Sequence, residues 1–120
     1  MPARILVVED DPDNRRIAEV ALCGAGYEVR AVGNGAEALE CCRSERFDLV
    51  VLDLGLPGVG GLEVVRELKS SPEPPPVVAL TGMALPGDED RARRMGCDEV
   101  LVKPCRVAEL RERVGRWVRP

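Results

Sequence analysis

Short aliphatic runs recur along the chain, and each is followed at once by a residue that carries chemistry. Ile5-Leu6-Val7-Val8 runs into Glu9-Asp10-Asp11, Leu49-Val50-Val51-Leu52 into Asp53, Val77-Val78-Ala79-Leu80 into Thr81, and Val100-Leu101-Val102 into Lys103-Pro104. Longer segments of helical period separate them. That alternation predicts successive βα units and a parallel sheet.

The first strand is expected over about Arg4–Val8. Asp11-Pro12 then reads as a helix N-cap with proline at the first helical position, and Ile17, Val20 and Ala21 as the buried stripe of that helix, which Gly24 and Gly26 stop. Tyr27–Val32 alternates in polarity, as an edge strand does. Asn34-Gly35 turns the chain into a helix over about Ala36–Ser44. Asp48–Leu52 is apolar on both faces and belongs at the sheet centre. Gly55–Gly61 is too glycine-rich for regular structure and predicts a loop, followed by a helix near Leu62–Ser70 with Leu62, Val65 and Leu68 inward. The proline-rich stretch Ser71–Pro76 reads as an extended surface loop leading into the fourth strand. After Thr81 comes a connection, Gly82–Pro86, then a short polar helix near Gly87–Met95 closed by Gly96. A fifth strand, Glu99–Val102, and a last helix, Val107–Val118, with Val107, Leu110, Val114 and Trp117 on one stripe, complete the series.

Composition narrows the class. At 120 residues, with 45% hydrophobic and 32% charged positions, the chain suits a single globular domain over 1–120. The net charge of -4 argues against a surface for nucleic acid. No apolar stretch is long enough to span a membrane and no signal sequence opens the chain, which points to the cytoplasm. The 5 cysteines (Cys23, Cys41, Cys42, Cys97, Cys105) form no C-x-x-C pair and find no histidine to complete a zinc site, so they read as small buried hydrophobes in a reducing compartment. Among the basic residues only Lys69 and Lys103 are lysine, and Lys103 stands at a strand end, where a compact ammonium differs from a guanidinium.

Ligands of open parallel sheets bind at the carboxyl ends of the strands, where this chain gathers Glu9, Asp10, Asp53, Thr81 and Lys103. Glu9, Asp10 and Asp53 suit a hard divalent cation such as Mg²⁺, which takes oxygen ligands and is commonly shared between carboxylates and phosphate. Without a cation such crowded carboxylates repel, and at least one pKa should rise. Asp53, ending the most hydrophobic strand, is the candidate nucleophile for phosphoryl transfer, with Thr81 and Lys103 to hold the phosphoryl oxygens. A haloacid-dehalogenase-type phosphatase also uses an aspartyl nucleophile after an aliphatic strand, but requires a second Asp two residues later. That position is Gly55.

The runs ILVVEDD, VVLDLGLPGVGGLEV, ALTG and VLVKP, in this order across nearly the whole chain, resemble the receiver domain of bacterial two-component response regulators. The stretch from Thr81 to Lys103 is closer to single-domain, chemotaxis-type regulators and hybrid-kinase receivers than to receivers that precede DNA-binding domains. The resemblance implies a flavodoxin-like α/β fold of strand order 2-1-3-4-5, with helices on both faces. It implies Asp53 as phosphoacceptor, Asp10, Asp53 and the Gly55 carbonyl as direct Mg²⁺ ligands, and Glu9 as a ligand through water. Thr81 becomes the switch hydroxyl and Lys103 the phosphoryl-binding lysine, its bond to Pro104 cis. The implied donor is a phosphohistidine on a sensor histidine kinase or a histidine phosphotransfer protein, and the output a protein partner at the fourth helix, fifth strand and fifth helix, with weak homodimers allowed. Such a domain is a phosphoacceptor rather than an enzyme in its own right; a receiver that binds partners without phosphorylation is the alternative. Three positions depart from the family pattern: Val100 where an aromatic is common, Cys105 where Phe is common, and Gly60 where Asp is common.

Overall fold

The computed structural model describes residues 2–56, 60–82 and 87–120. Its strands are β1 (Arg4–Val8), β2 (Glu28–Val32), β3 (Leu49–Asp53), β4 (Val77–Thr81) and β5 (Glu99–Val102). The helices between and after them are α1 (Pro12–Gly24), α2 (Gly35–Ser44), α3 (Gly61–Lys69), α4 (Asp88–Arg94) and α5 (Val107–Gly115). All neighbouring strands are parallel, in the order β2-β1-β3-β4-β5. The parallel sheet is what the alternation of the chain predicts, and the doubly wound, flavodoxin-like order is the one the family resemblance implies. Two expected loops, Gly55–Gly61 and Gly82–Pro86, lie partly outside the described residues, at 57–59 and 83–86.

Strand alternation sorts the core into two layers. Leu6, Val8, Val50, Leu52, Val77, Ala79 and Val100 face α2, α3 and α4, meeting Ala38, Cys41, Val64, Val65, Leu68 and Ala92. Ile5, Val7, Leu49, Val51, Val78, Leu80 and Leu101 face α1 and α5, meeting Ala18, Leu22, Leu110 and Val114. Every residue of β3 and β4 is buried, because both faces of these strands are covered. The edge strand β2 keeps its polar alternation, with Glu28 and Arg30 exposed.

Register then decides where the polar residues fall. Val8 pairs with Leu52, Asp53 with Leu80, and Thr81 with Val102, so the residue that ends or follows each strand comes to one rim of the sheet. Asp11 caps α1 by accepting from the amides of Asp13 (2.8 Å) and Asn14 (3.2 Å), which starts the helix immediately beside that rim.

Helix faces correct several expectations. Ile17 and Val20 are each 55% exposed, and α1 buries Ala18, Ala21 and Leu22 instead. Both sets have helical spacing and differ by one residue of phase. Small alanines win the inner position because α1 is held close to α5, where the Arg111 side chain donates from Nε to the Ala21 carbonyl at 2.8 Å. In α5, Leu110 and Val114 are buried; Trp117 is exposed because the helix ends at Gly115 and the stripe does not reach it, and Val107, the first residue of the helix, is exposed as well. Leu62 is only partly buried, and Val64 takes the inward place beside Val65 and Leu68. Cys41 and Cys97 are buried and Cys42 and Cys105 half-buried as small hydrophobes, but Cys23 is exposed; all five are free thiols.

Candidate phosphoryl and metal site

Glu9 follows β1, Asp53 and Thr81 end β3 and β4, and Lys103 follows β5. Glu9, Asp53 and Thr81 are buried, Lys103 is half-buried, and Asp10 is exposed. One carboxylate oxygen from each of Glu9, Asp10 and Asp53 lies within 4.8 Å of the others. Lys103 donates from Nζ to Glu9 Oε1 at 2.6 Å and to Asp53 Oδ2 at 3.1 Å. The other Asp53 oxygen, Oδ1, accepts the Gly55 amide at 2.9 Å. The Lys103 amide donates to the Thr81 carbonyl at 2.7 Å, and the Lys103-Pro104 peptide is cis.

The charges in this cluster do not cancel. With every group ionised, three carboxylates face one ammonium, and Glu9 Oε2 is buried without a hydrogen-bond partner among the described residues. Burial, reinforced by the neighbouring Asp53, pushes the Glu9 carboxyl up to about 7. Burial also works against the charge of Asp53, but hydrogen bonding that involves Glu9, the Gly55 amide and Lys103 outweighs it and holds Asp53 below its ordinary value. Burial opposes the Lys103 ammonium as well, and its bonds to Glu9 and Asp53 overcome that and raise its pKa. Of the two, Glu9 is therefore the one that takes up a proton as pH falls through about 7, and Asp53 stays anionic, as a nucleophile must.

These features fit a divalent cation. A hard ion seeks several oxygens of net negative charge, and the orphaned Glu9 oxygen supplies a lone pair that the protein leaves unused. Asp10, Asp53 and Glu9 would hold it, and Gly55 stands beside Asp53 with its amide already committed to that carboxylate.

Two further contributors, Gly61 and Arg15, are not among the candidate site residues. A Cβ on Gly61 would lie 2.4 Å from Leu54 Cα and 2.8 Å from the Asp53 carbonyl oxygen, so only glycine lets α3 start against the loop that follows the acceptor strand. Arg15 donates from a guanidinium nitrogen to the Glu9 carbonyl at 3.1 Å. The first could have been suspected from the glycine run after Asp53; nothing in the sequence singled out the second.

A five-stranded doubly wound sheet with an acidic pocket and a lysine ammonium side by side at its carboxyl rim defines the class of α/β protein to which this chain belongs. The response regulator receiver domain matches the chain over residues 5–115, and the chain belongs to that family of two-component signalling domains. It is 39% identical over 120 residues to the polar-differentiation response regulator DivK of Brucella anthropi, covering 98% of each chain, and 36% identical to DivK of Brucella ovis over the same shares. Among solved structures it resembles the receiver domain of the sensor histidine kinase PA1611 from Pseudomonas aeruginosa, which holds a magnesium ion in its active-site cleft (34% identity, 98% of both chains, TM-score 0.88). It also resembles the chemotaxis response regulator CheY4 of Vibrio cholerae (29% identity, 98% of this chain and 100% of that one, TM-score 0.90).

Proposed function

We propose that residues 1–120 form one receiver domain that accepts a phosphoryl group on Asp53 from a phosphohistidine of a sensor histidine kinase or histidine phosphotransfer protein. The observation that carries this reading is the single ammonium of Lys103 between Glu9 and Asp53, beside an acidic cluster that fits Mg²⁺. An Asp53 oxygen forms the new P–O bond as the P–N bond to the donor imidazole breaks. The imidazole nitrogen keeps the electron pair and takes a proton from solvent. Lys103 and Thr81 hold the phosphoryl oxygens, and Asp10, Asp53 and the Gly55 carbonyl, with Glu9 through water, would hold the ion. The chemistry such an ion would supply is neutralisation of the negative charge on the transferring oxygens.

A protein donor must touch the surface around the rim. Ile17 and Val107, both exposed, border a cavity of about 480 Å³ that also includes Glu9, Lys103 and Cys105, which supports this side as the donor's seat. On the output side, Val102 pairs in register with Thr81 and is 50% exposed, so a change at the threonine has one residue to cross before it reaches the α4–β5–α5 surface. A protein partner reads that surface, and weak self-association there is compatible with it. Val100 is buried in the α4-side core, so the readout does not use an aromatic swing at that position. The domain acts in signalling, not as an enzyme with turnover of its own, and works in the cytoplasm; no described helix is long and apolar enough to cross a membrane.

The test is intact-protein mass after incubation with acetyl phosphate and Mg²⁺, with and without EDTA, on the native chain and on Asp53→Asn. A metal-dependent gain of one phosphoryl group, absent from the variant, is expected. No gain, even with a phosphohistidine protein as donor, would favour a domain that binds partners without phosphorylation.

A further inference from the structure

Asp10 belongs to the acidic cluster, yet its exposed carboxylate accepts no hydrogen bond among the described residues. Nothing on the side chain fixes its aim, so its direction is set by the backbone. That backbone is pinned from two sides. The Glu9 amide donates to the Val32 carbonyl at 3.1 Å, and the Glu9 carbonyl accepts from Arg15 at 3.1 Å. The second bond holds the plane of the Glu9–Asp10 peptide, the unit whose rotation would swing Asp10 away from Asp53.

Arg15 is well placed for this task. It lies one helical turn into α1, with its amide bonded to the Asp11 carbonyl at 2.9 Å, and its side chain is half-buried. It forms no ion pair among the described residues, so its guanidinium is not committed to a carboxylate. Its seat is defined by Gly33: a Cβ there would stand 2.7 Å from the Arg15 nitrogen, so the guanidinium occupies the space that the missing side chain leaves.

We infer that Arg15, seated over Gly33, is a positioning residue for the cation site, holding the Glu9–Asp10 peptide so that Asp10 faces Asp53. This rests on the magnesium reading proposed above. Partners that orient a ligand from outside the coordination shell typically change metal affinity about tenfold or more when removed.

The test is a titration of the full chain with magnesium chloride, followed by amide resonances in ¹H–¹⁵N spectra, for the native protein, Asp10→Asn, Arg15→Ala, Arg15→Lys and Gly33→Ala. Arg15→Ala should weaken magnesium binding about tenfold, with the Asp10 and Asp11 amides already displaced in EDTA and the melting temperature in EDTA little changed. Arg15→Lys should recover part of the affinity. Gly33→Ala, which keeps the charge but pushes the guanidinium out of its seat, should weaken binding in the same direction. Native-like affinity in both Arg15→Ala and Gly33→Ala would overturn the inference, as would a loss that lysine does not restore and that accompanies a collapse of the EDTA melting temperature. A native chain that binds no magnesium, or binds it no better than Asp10→Asn, would overturn the cation site itself and this inference with it.

Discussion

Lys103 and Glu9 are 94 residues apart in sequence and meet at 2.6 Å, where the side chain of Glu9 is 2% exposed and that of Lys103 25%. A nearly buried carboxylate therefore depends on one partly exposed ammonium, which it shares with Asp53. Lys103→Met should destabilise the metal-free protein by about 1–3 kcal/mol at pH 8, less than a fully buried pair would lose because solvent reaches the lysine. At pH 5, where Glu9 carries its own proton, the loss should be smaller. Thermal unfolding in EDTA at the two pH values measures this; an equal loss at both would mean that the lysine contributes through packing alone.

The Glu9 carboxyl itself gives the metal-free protein a pH dependence. Its pKa is about 7 in the folded chain against 4.5 ordinarily, so the folded state binds the proton more tightly than the unfolded state. The associated stability is complete below pH 4.5 and is lost as pH rises through 7. Asp53 runs the other way: its lowered pKa contributes stability above the ordinary 3.8, lost only as pH falls through the folded value. In EDTA the melting temperature should fall by several degrees between pH 5 and pH 8, on the order of 1–3 kcal/mol. Glu9→Gln, which cannot ionise, should flatten that slope and melt higher than the native chain at pH 8. A native profile as flat as that of Glu9→Gln would count against the raised pKa.

Helix phase yields a contrast on α1. Leu22 is fully buried in the α1/α5-side core and Ile17 is 55% exposed. Leu22→Ala should cost about 2–4 kcal/mol through lost burial and a cavity, while Ile17→Ala should stay within about 0.5 kcal/mol. Urea midpoints of the two variants decide it, and comparable losses would restore Ile17 to the core.

That contrast marks where the sequence was legible. Strand ends were readable because a fully buried strand must be apolar throughout, so the first acidic or hydroxyl residue after Leu52 or Leu80 announces the rim. Helix phase was not, because Ile17/Val20/Ala21 and Ala18/Ala21/Leu22 both satisfy helical spacing, and the choice between them was made by how closely α5 packs on α1. Arg15 escaped notice for another reason: its bond goes to a backbone carbonyl, and every residue offers one. The raised pKa among the acidic residues was foreseeable from charge crowding alone, although only burial shows that Glu9 is the one affected.

Gly61 offers the sharpest test of how α3 fixes the acceptor strand. A methyl group there meets Leu54 Cα at 2.4 Å and the Asp53 carbonyl at 2.8 Å, both backbone atoms that cannot swing aside, whereas one on the neighbouring Gly60 meets nothing nearer than Glu63 Oε1 at 4.0 Å. The Leu54 amide is itself bonded to the Leu80 carbonyl at 2.9 Å, so the loop cannot yield without breaking its hold on β4. Gly61→Ala should therefore cost about 2–3 kcal/mol by overpacking, and displace the Asp53 and Gly55 amide resonances. Gly60→Ala, with φ at -68° already allowed to alanine, should be neutral or slightly stabilising. Denaturant unfolding of the two variants, one residue apart, separates a specific close approach from a general intolerance of the glycine-rich loop: two equal losses would mean that the loop as a whole requires glycine, and no loss in either would mean that α3 can retreat from Asp53 without consequence.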